Sequence, residues 1–209
     1  MKKQTALNIV GGLSKPSKMP SYSIGLPAKE CGTGSKLAQL DGSVCSGCYA
    51  LKGQYRFSNV QAAQYRRLAA LDNPEWVDAM VTLLENEEFF RWHDSGDIRD
   101  LTHMEKIMEV VRRTPHCKHW IPTKEKRIVK QWLRAGNVIP GNCVVRLSAP
   151  MVDMRIRNHG DAIAGLKFSA VHTKSPQGRA CIAYQQNGEC RDCRACWNRR
   201  IDCISYPKH

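Results

Sequence analysis

The chain has 209 residues and carries 32 Lys and Arg against 19 Asp and Glu, a formal net charge of +13. Its length and apolar content suit one globular domain and exclude general disorder. No apolar run reaches the roughly 20 residues of a membrane span, and residues 1–20 lack the apolar centre of a secretion signal. We therefore expect a cytoplasmic protein that does not enter membranes. Its basic surface either attracts anions, such as nucleic acid or an acidic protein, or simply keeps the protein soluble.

Predicted strands and helices alternate along the chain. Alternating and buried apolar runs predict strands at 22–27, 88–97, 118–123, 143–150 and 166–173. Helical spacing of apolar residues predicts helices at 59–71, 74–87, 100–114 and 124–136. No element is assigned with certainty to 151–165. This order predicts an α/β domain with a parallel sheet, in which a βα core at about 22–175 precedes a cysteine-rich tail at 176–209.

Two polar segments follow predicted strands. A long cysteine-containing loop follows the strand at 22–27, and the sequence HDSGD ends the strand at 88–97. Ligands of parallel α/β sheets bind beyond the carboxyl ends of the strands. We therefore expect both segments to face the same mouth.

The cysteines indicate metal binding. The chain has ten, and all but Cys117 and Cys143 fall into a group near each end. Cytosolic thiols are kept reduced, and a chain of this length does not need disulfides. The two isolated cysteines are predicted to be small buried apolar residues. The clustered ones are candidate metal ligands.

The tail contains three cysteines at two-residue spacing, Cys190, Cys193 and Cys196. An overlapping run of this kind suits a [4Fe–4S] cluster, whose irons are reached from one wrapped loop. The ferredoxin pattern would put the fourth cysteine where Arg200 stands, so Cys181 or Cys203 must supply it. Cys181 is favoured, because residues 181–190 can form a hairpin-like excursion. A zinc site, or reduced cysteines without metal, are the alternatives.

The first group, Cys31, Cys45 and Cys48, supplies three ligands and no local fourth. Three thiolates on a cubane leave one iron open to a substrate, cofactor or solvent, as an open position does at catalytic zinc. Alternatively, Cys203 or a single cluster shared by both ends of the chain closes the set. The aromatic and basic residues at 49–57 either stack on an adenosine-like ligand or shield the cluster from water.

The HDSGD turn offers a second set of candidates. The carboxylate of Asp97 could hold an ammonium group, and Gly96 beside Ser95 lets a ligand approach the backbone. The alternative is a plain strand-to-helix turn in which Asp97 or Asp100 caps the next helix. His93 is predicted to be a packed or hydrogen-bonded histidine and not a metal ligand.

The motifs together resemble a phage family called gene product 88. They are, in order, CYALKGQYR, NVQAAQYRRL, RWHDSGDI, WIPTK, CRDCRACW and a closing SYPKH, and the similarity runs from about residue 22 to the end. The resemblance implies an iron–sulfur protein in the host cytoplasm and favours Cys181 as the fourth tail ligand. The thirteen residues between Cys31 and Cys45 are a wider spacing than is usual in the family.

A wider resemblance is to radical S-adenosylmethionine enzymes. These enzymes also place three cysteines after the first strand and a glycine-carboxylate turn after the second strand. The resemblance implies a partial (βα) barrel-like sheet, S-adenosylmethionine as cofactor, Asp97 as the group that holds its ammonium, and an auxiliary cluster near the end. The C-x3-C-x2-C spacing of that class is absent.

Three hypotheses follow from these patterns. The first is a redox enzyme of the radical type, with one or two [4Fe–4S] clusters. The second is a non-catalytic iron–sulfur protein that binds nucleic acid or a host protein through its basic surface. The third is a binding module stabilised by zinc.

Overall fold

A computed structural model describes residues 1–156 and 165–208. Its centre is a seven-stranded sheet in the order β1-β2-β3-β4-β5-β7-β6, and every pairing is parallel. The strands are β1 (Tyr22–Ile24), β2 (Phe89–Trp92), β3 (Lys118–Thr123), β4 (Cys143–Ser148), β5 (Lys167–His172), β6 (Arg179–Ala180) and β7 (Cys203–Pro207). The first five strands are neighbours in chain order, as successive βα units require. The predicted α/β class with a parallel sheet is confirmed, and β1 and β6 form its two edges.

Five of the six α-helices in the described residues pack on one face of the sheet. In chain order the helices are α1 (Lys3–Val10), α2 (Gly32–Leu37), α3 (Ser58–Ala70), α4 (Trp76–Leu84), α5 (Leu101–Arg113) and α6 (Lys126–Arg134). The short α2 lies in the loop beyond the end of β3. The main core joins the inward stripes of α1, α3, α4, α5 and α6 to Phe90 and Trp92 of β2 and to Ile121 of β3. Among the described residues, no helix is long and apolar enough to span a bilayer. Helix packing on this face leaves the opposite face of the sheet to other parts of the chain.

Four elements are not among those predicted from the sequence: α1, α2, β6 and β7. Helix α1 lies within residues 1–20, where no element was predicted, and its buried Ala6 and Val10 belong to the core that includes α4. Helix α2 lies in the cysteine-containing loop. Strands β6 and β7 lie in the tail, and β7 is inserted between β5 and β6. The tail is therefore part of the sheet. Of the uncertain stretch at 151–165, positions 157–164 lie outside the described residues.

The tail covers the face of the sheet that carries no helices, called here the open face. Trp197 packs edge-on against Phe89 of β2 and Trp120 of β3, with ring centroids 5.4 Å apart in both pairs. The Trp197 indole also donates a hydrogen bond of 2.9 Å to the backbone oxygen of Phe90. The cysteine-rich segment around Trp197 is thereby fixed against the middle of the sheet.

Candidate metal centre

The loop that carries the first cysteine group crosses the carboxyl ends of several strands. At the end of β2, the hydroxyl of Tyr55 donates to the carboxylate of Asp94 at 3.2 Å, and the hydroxyl of Tyr49 donates to its backbone oxygen. Beyond β4, the backbone N–H of Val44 donates to the oxygen of Pro150 at 2.8 Å. The expectation that this loop and the HDSGD turn share one mouth is confirmed.

Glu125 fixes the loop beyond the end of β3. Its carboxylate accepts hydrogen bonds from the backbone N–H of Thr33 at 2.6 Å and from the Thr33 hydroxyl at 2.7 Å. Thr33 lies two residues after Cys31, at the start of α2. The position of the first cysteine thus depends on a carboxylate that lies 92 residues after Thr33 in the chain.

Two thiols of the first group converge on Gly34. A methyl group added to this glycine would lie 3.6 Å from the sulfur of Cys31 and 3.7 Å from the sulfur of Cys45. It would also lie only 3.0 Å from the Cβ of Cys31, closer than Cβ contacts usually come. The absence of a side chain at this position leaves room for both sulfurs.

The first group has a mixed electrostatic environment. Burial, together with the neighbouring Asp97, Cys48 and Cys45, raises the pKa of Cys31 to about 12. Burial also raises the pKa of Cys45, whereas the ammonium of Lys124 acts in the opposite direction. Without metal these two thiols are therefore protonated at neutral pH, and binding a metal would release their protons.

Lys124 places a cation beside these thiols. Its ammonium donates a hydrogen bond of 3.0 Å to the backbone oxygen of Ala149. Burial lowers the pKa of Lys124, and the nearby Cys45 and Asp97 counteract that effect. A cation at this point would compensate the negative charge of metal-bound thiolates.

Asp97 lies next to the first group but already has protein partners. One carboxylate oxygen accepts from the Thr123 hydroxyl at 2.6 Å and from the N–H of Ile98 at 2.8 Å. The other oxygen accepts from the N–H of Lys124 at 2.8 Å. Burial raises the pKa of Asp97 to about 6, against the effect of these hydrogen bonds. A carboxylate offers about four acceptor positions, so about one remains for a ligand.

The rest of the HDSGD turn holds strand ends together. The Ser95 hydroxyl donates to the oxygen of Leu26 and accepts from the Gln64 amide at 2.8 Å. Gly96 has a φ of +76°, and a Cβ there would lie 2.6 Å from Leu26. Asp100 is the residue that caps α5, accepting from a backbone N–H at 2.7 Å. Ser95 and Gly96 thus have structural contacts, while their predicted role in cofactor binding stays a prediction.

His93 is buried as the sequence indicates. Its ring packs against Trp92 and His103, with centroids 6.4 and 5.4 Å away. Within the described part of the chain, neither ring nitrogen has a hydrogen-bond partner. Burial holds the pKa of His93 well below its usual value, so the ring is neutral.

The four predicted tail ligands line one small cavity. Its lining consists of Ala180, Cys181, Ala183, Cys190, Cys193, Ala195, Cys196, Trp197 and Ile204. Cys181 lines the cavity because the chain turns back toward Cys190 after it. The turn consists of a short 3-10 helix, Ala183–Gln186, and of Asn187 in a left-handed conformation. Cys181 therefore lines the same cavity as Cys190, Cys193 and Cys196, and its role as the fourth ligand stays a prediction.

Cys203 lies elsewhere. It begins β7, at the amino end of the parallel sheet, and lines a different cavity together with Phe168 and Gly178. The first cysteine group lies at the opposite, carboxyl end. Cys203 therefore completes neither group in this arrangement. Cys117 and Cys143 are fully buried in the apolar core, as predicted.

Arg146 holds the tail loop on the open face. This fully buried side chain of β4 donates only to backbone oxygens. The acceptors are Cys196 at 3.1 Å, Phe168 at 3.3 Å, Ile201 at 3.0 Å, Ala195 at 3.3 Å and Asn198 at 2.9 Å. Four of these five oxygens belong to the tail loop. The guanidinium therefore positions the segment that carries Cys196.

Burial also keeps the thiols of Cys181, Cys190 and Cys196 protonated in the metal-free chain. It raises the pKa of Cys196 to about 11, although the hydroxyl of Tyr206, 3.2 Å from its sulfur, lowers it. Burial likewise raises the pKa of Cys181 and of Cys190. As at the first group, metal binding would have to release protons.

The cysteines do not form a finished coordination site. Among residues 1–156 and 165–208, no three His, Cys, Asp or Glu side chains are placed so that they could hold a metal ion. The tail cavity is small, so the tail thiols would have to rearrange to admit a cluster. The donor set of four thiols nevertheless fits an iron–sulfur cluster.

Sequence reasoning missed the cations and carboxylates that surround the cysteines. Lys124, Glu125 and Arg146 stood in predicted strands or helices as ordinary charged residues. Only their burial distinguishes them: Arg146 is 0% exposed and Glu125 is 7% exposed. For Arg146 the available signal was a charge in the middle of an apolar strand, CVVRLS.

The family model described as gene product 88 matches residues 1–199 of the chain. This range includes every clustered cysteine except Cys203. A search of curated proteins found no match, and a search of solved structures found none.

Proposed function

We propose that this chain, which belongs to the phage family gene product 88, is an iron–sulfur protein that holds a [4Fe–4S] cluster through Cys181, Cys190, Cys193 and Cys196. The observation that carries the proposal is the convergence of these four cysteines on one cavity. Four thiolates are the usual ligand set of such a cluster. Partly buried, unpaired thiols fit a reducing compartment, and the proposal accordingly puts the protein in the host cytoplasm.

The order of the tail ligands favours a cluster over zinc. Three of the four lie in one run with two-residue spacing, and the fourth comes from a turn nine residues upstream. Structural zinc sites more often combine two separate pairs of ligands. The cavity wall is also largely apolar, with three alanines, Ile204 and Trp197 beside the cysteines. A shell that excludes water is one of the means by which proteins set cluster potentials.

The first group is proposed to hold a second cluster with one iron left open. Its three thiols lie at the carboxyl end of the sheet, where ligands of parallel α/β folds bind. The described residues add no fourth cysteine there, and Asp97 and Lys124 provide opposite charges beside the thiols. This arrangement supports a site for S-adenosylmethionine. The remaining acceptor position of the Asp97 carboxylate would take a hydrogen bond from the ammonium group of that cofactor. When bound, such a cluster supplies one electron to the sulfonium of that cofactor.

The first experiment is a metal analysis of the unaltered chain. After anaerobic purification and reconstitution with iron and sulfide, we expect about eight irons per chain if both groups are filled and about four if only the tail is. A brown protein with a paramagnetic-resonance signal after reduction supports the proposal. A colourless protein with stoichiometric zinc contradicts it and favours the zinc-stabilised module.

The second experiment separates the catalytic from the non-catalytic hypothesis. Calorimetric titration of the reconstituted chain with S-adenosylmethionine should show binding, and Asp97→Asn should weaken it about tenfold or more. A cluster-loaded chain that binds no S-adenosylmethionine contradicts the proposed cofactor. Salt-dependent binding of DNA or RNA by that chain would then support the non-catalytic role of its basic surface.

A further inference from the structure

Residues 49–57, called here the rim, directly follow Cys48 of the first cysteine group and contain two short 3-10 helices. Three large apolar side chains of the rim are exposed to solvent: Tyr49 is 53% exposed, Leu51 40% and Phe57 59%. Among the described residues, ten large apolar side chains are exposed in total. Single exposed apolar side chains are ordinary, but three within so short a segment indicate a surface that binds another molecule.

The ring of Tyr49 is held in place at its hydroxyl end. The hydroxyl donates to the backbone oxygen of Asp94 and accepts a hydrogen bond of 3.3 Å from Arg91. The ring of Tyr55 stands edge-on to it, with the two centroids 5.6 Å apart. Because these contacts already fix the ring of Tyr49, a further ring that stacks on its exposed part costs little additional conformational entropy. Tyr49 is therefore a preorganised stacking surface.

The charge of the rim is positive. Lys52 and Arg56 are exposed, and residues 42–71 contain no Asp or Glu. Within residues 1–156 and 165–208, neither of these two cations forms an ion pair with a carboxylate. The carboxylate of Asp94 lies behind the rim, where it is buried and accepts a hydrogen bond from Tyr55 at 3.2 Å. The rim thus presents exposed rings and exposed cations together.

We propose that the rim binds single-stranded nucleic acid, with bases stacked on Tyr49 and Phe57 and phosphates in contact with Lys52 and Arg56. Unpaired bases stack on exposed aromatic rings, whereas a duplex keeps its bases stacked inside. Cations beside such rings contact the phosphate backbone of any sequence. An acidic protein would use the cations but would not need the rings.

The inference names a substrate class for the first cysteine group, and as a statement about substrate it rests on the proposed function. The rim begins at the residue after Cys48, so a nucleotide held on Tyr49 would lie beside the proposed open cluster. The binding itself does not depend on that cluster. The two claims can therefore be tested separately.

The first test measures fluorescence anisotropy of a labelled strand of about 12 nucleotides, as DNA and as RNA, with the reconstituted full-length chain. The same strand annealed to its complement is measured in parallel. We expect either single strand to bind more tightly than its duplex. Phe57→Ala should weaken single-strand binding by about five- to 100-fold, the range found when one stacked base loses its ring. Tyr184→Ala removes a ring of the tail that is 51% exposed and is the matched control, expected to change the affinity little.

The second test measures how the affinity for the single strand depends on salt, between about 50 and 200 mM. Arg56→Gln should reduce the slope of log affinity against log salt concentration by about 0.7, the value for one phosphate contact on a single strand. Arg134 carries the same charge at the exposed end of α6. Arg134→Gln is therefore the control and should leave the slope unchanged.

The outcomes separate this inference from the proposal beneath it. A reconstituted chain without iron overturns the proposed function, whereas strand binding that Phe57→Ala weakens would still support the rim. A folded, iron-loaded chain that binds no single strand at low salt overturns only the inference. Equal affinities of Phe57→Ala and Tyr184→Ala, or equal binding of strand and duplex, overturn it as well. Polyglutamate that displaces the strand at an equal charge concentration would assign the rim to an acidic protein and contradict the proposal.

Discussion

The two cysteine groups of this chain lie in opposite surroundings. The first group offers three thiols on a loop across the carboxyl ends of the strands, beside Asp97, Glu125 and Lys124. The tail group offers four thiols around an apolar-walled cavity under Trp197, on the open face of the sheet. An incomplete ligand set among charged groups suits a site that meets another molecule. A complete set in an apolar pocket suits a cluster that stays in place.

The largest effect is expected from a substitution that frees the tail loop from the sheet. Arg146→Met removes the donors of five buried backbone oxygens, each of which costs about 1–3 kcal/mol when left unpaired. Because these costs are not additive, we expect about 3–5 kcal/mol of lost stability in urea unfolding, together with loss of the tail iron. Arg200→Met should stay within about 0.5 kcal/mol of the parent. Arg146→Met with parental stability would contradict the anchoring role.

Replacing Glu125 should weaken iron binding by the first cysteine group and leave the tail group unaffected. Glu125→Ala leaves the N–H and hydroxyl of Thr33 without their acceptor, and we expect a loss of about 1–3 kcal/mol. Iron content should fall at the first group and stay unchanged in the tail, as read in chains that retain only one cysteine group. The exposed Glu85→Ala is the control. Equal iron loss from both groups would show that the sites are not independent.

A smaller change tests the space between two thiols. Gly34→Ala adds a methyl group 3.0 Å from the Cβ of Cys31, so we expect weaker iron binding by the first group. Alanine favours a helix over glycine by about 1 kcal/mol, so the thermal midpoint should not fall much. Gly47→Ala, in the same loop, meets no atom within 4 Å and is the matched control. Identical iron binding by both variants would show that the space at Gly34 is not needed for iron binding.

The smallest expected difference concerns thiol reactivity in the metal-free chain. Burial raises the pKa of Cys31 to about 12 and that of Cys196 to about 11. Only the thiolate reacts, and its fraction below the pKa rises about tenfold per pH unit. Alkylation by iodoacetamide, followed by mass spectrometry from pH 7 to 9, should therefore be slow at both and slower at Cys31. Rapid modification of Cys31 at pH 7 would contradict its burial.

The sequence carries much of the fold. Apolar periodicity was enough for the five βα strands, and cysteine spacing with one resemblance singled out Cys181, which lines the tail cavity. The position of β7 between β5 and β6 could not be read in this way, because strand order depends on contacts distant in sequence. Helix α1 is eight residues long, a length that is marginal without packing.

The groups around the cysteines were harder to predict for a related reason. Arg146 meets carbonyls that lie 22 to 55 residues away in sequence, and Glu125 meets Thr33 across 92 residues. Neither contact leaves a local pattern. A charge within an apolar strand indicates that a partner exists, but the fold alone shows which partner it is.

The most direct test of the central claim is an iron count on three chains reconstituted in parallel. One lacks the first cysteine group, one has Cys181, Cys190, Cys193 and Cys196 replaced by alanine, and one carries Cys203→Ala as control. We predict about four irons with sulfide in the chain that keeps only the tail group, and the parental count in the Cys203 variant. A chain that keeps the tail group but binds no iron, while remaining folded by circular dichroism, would contradict the account.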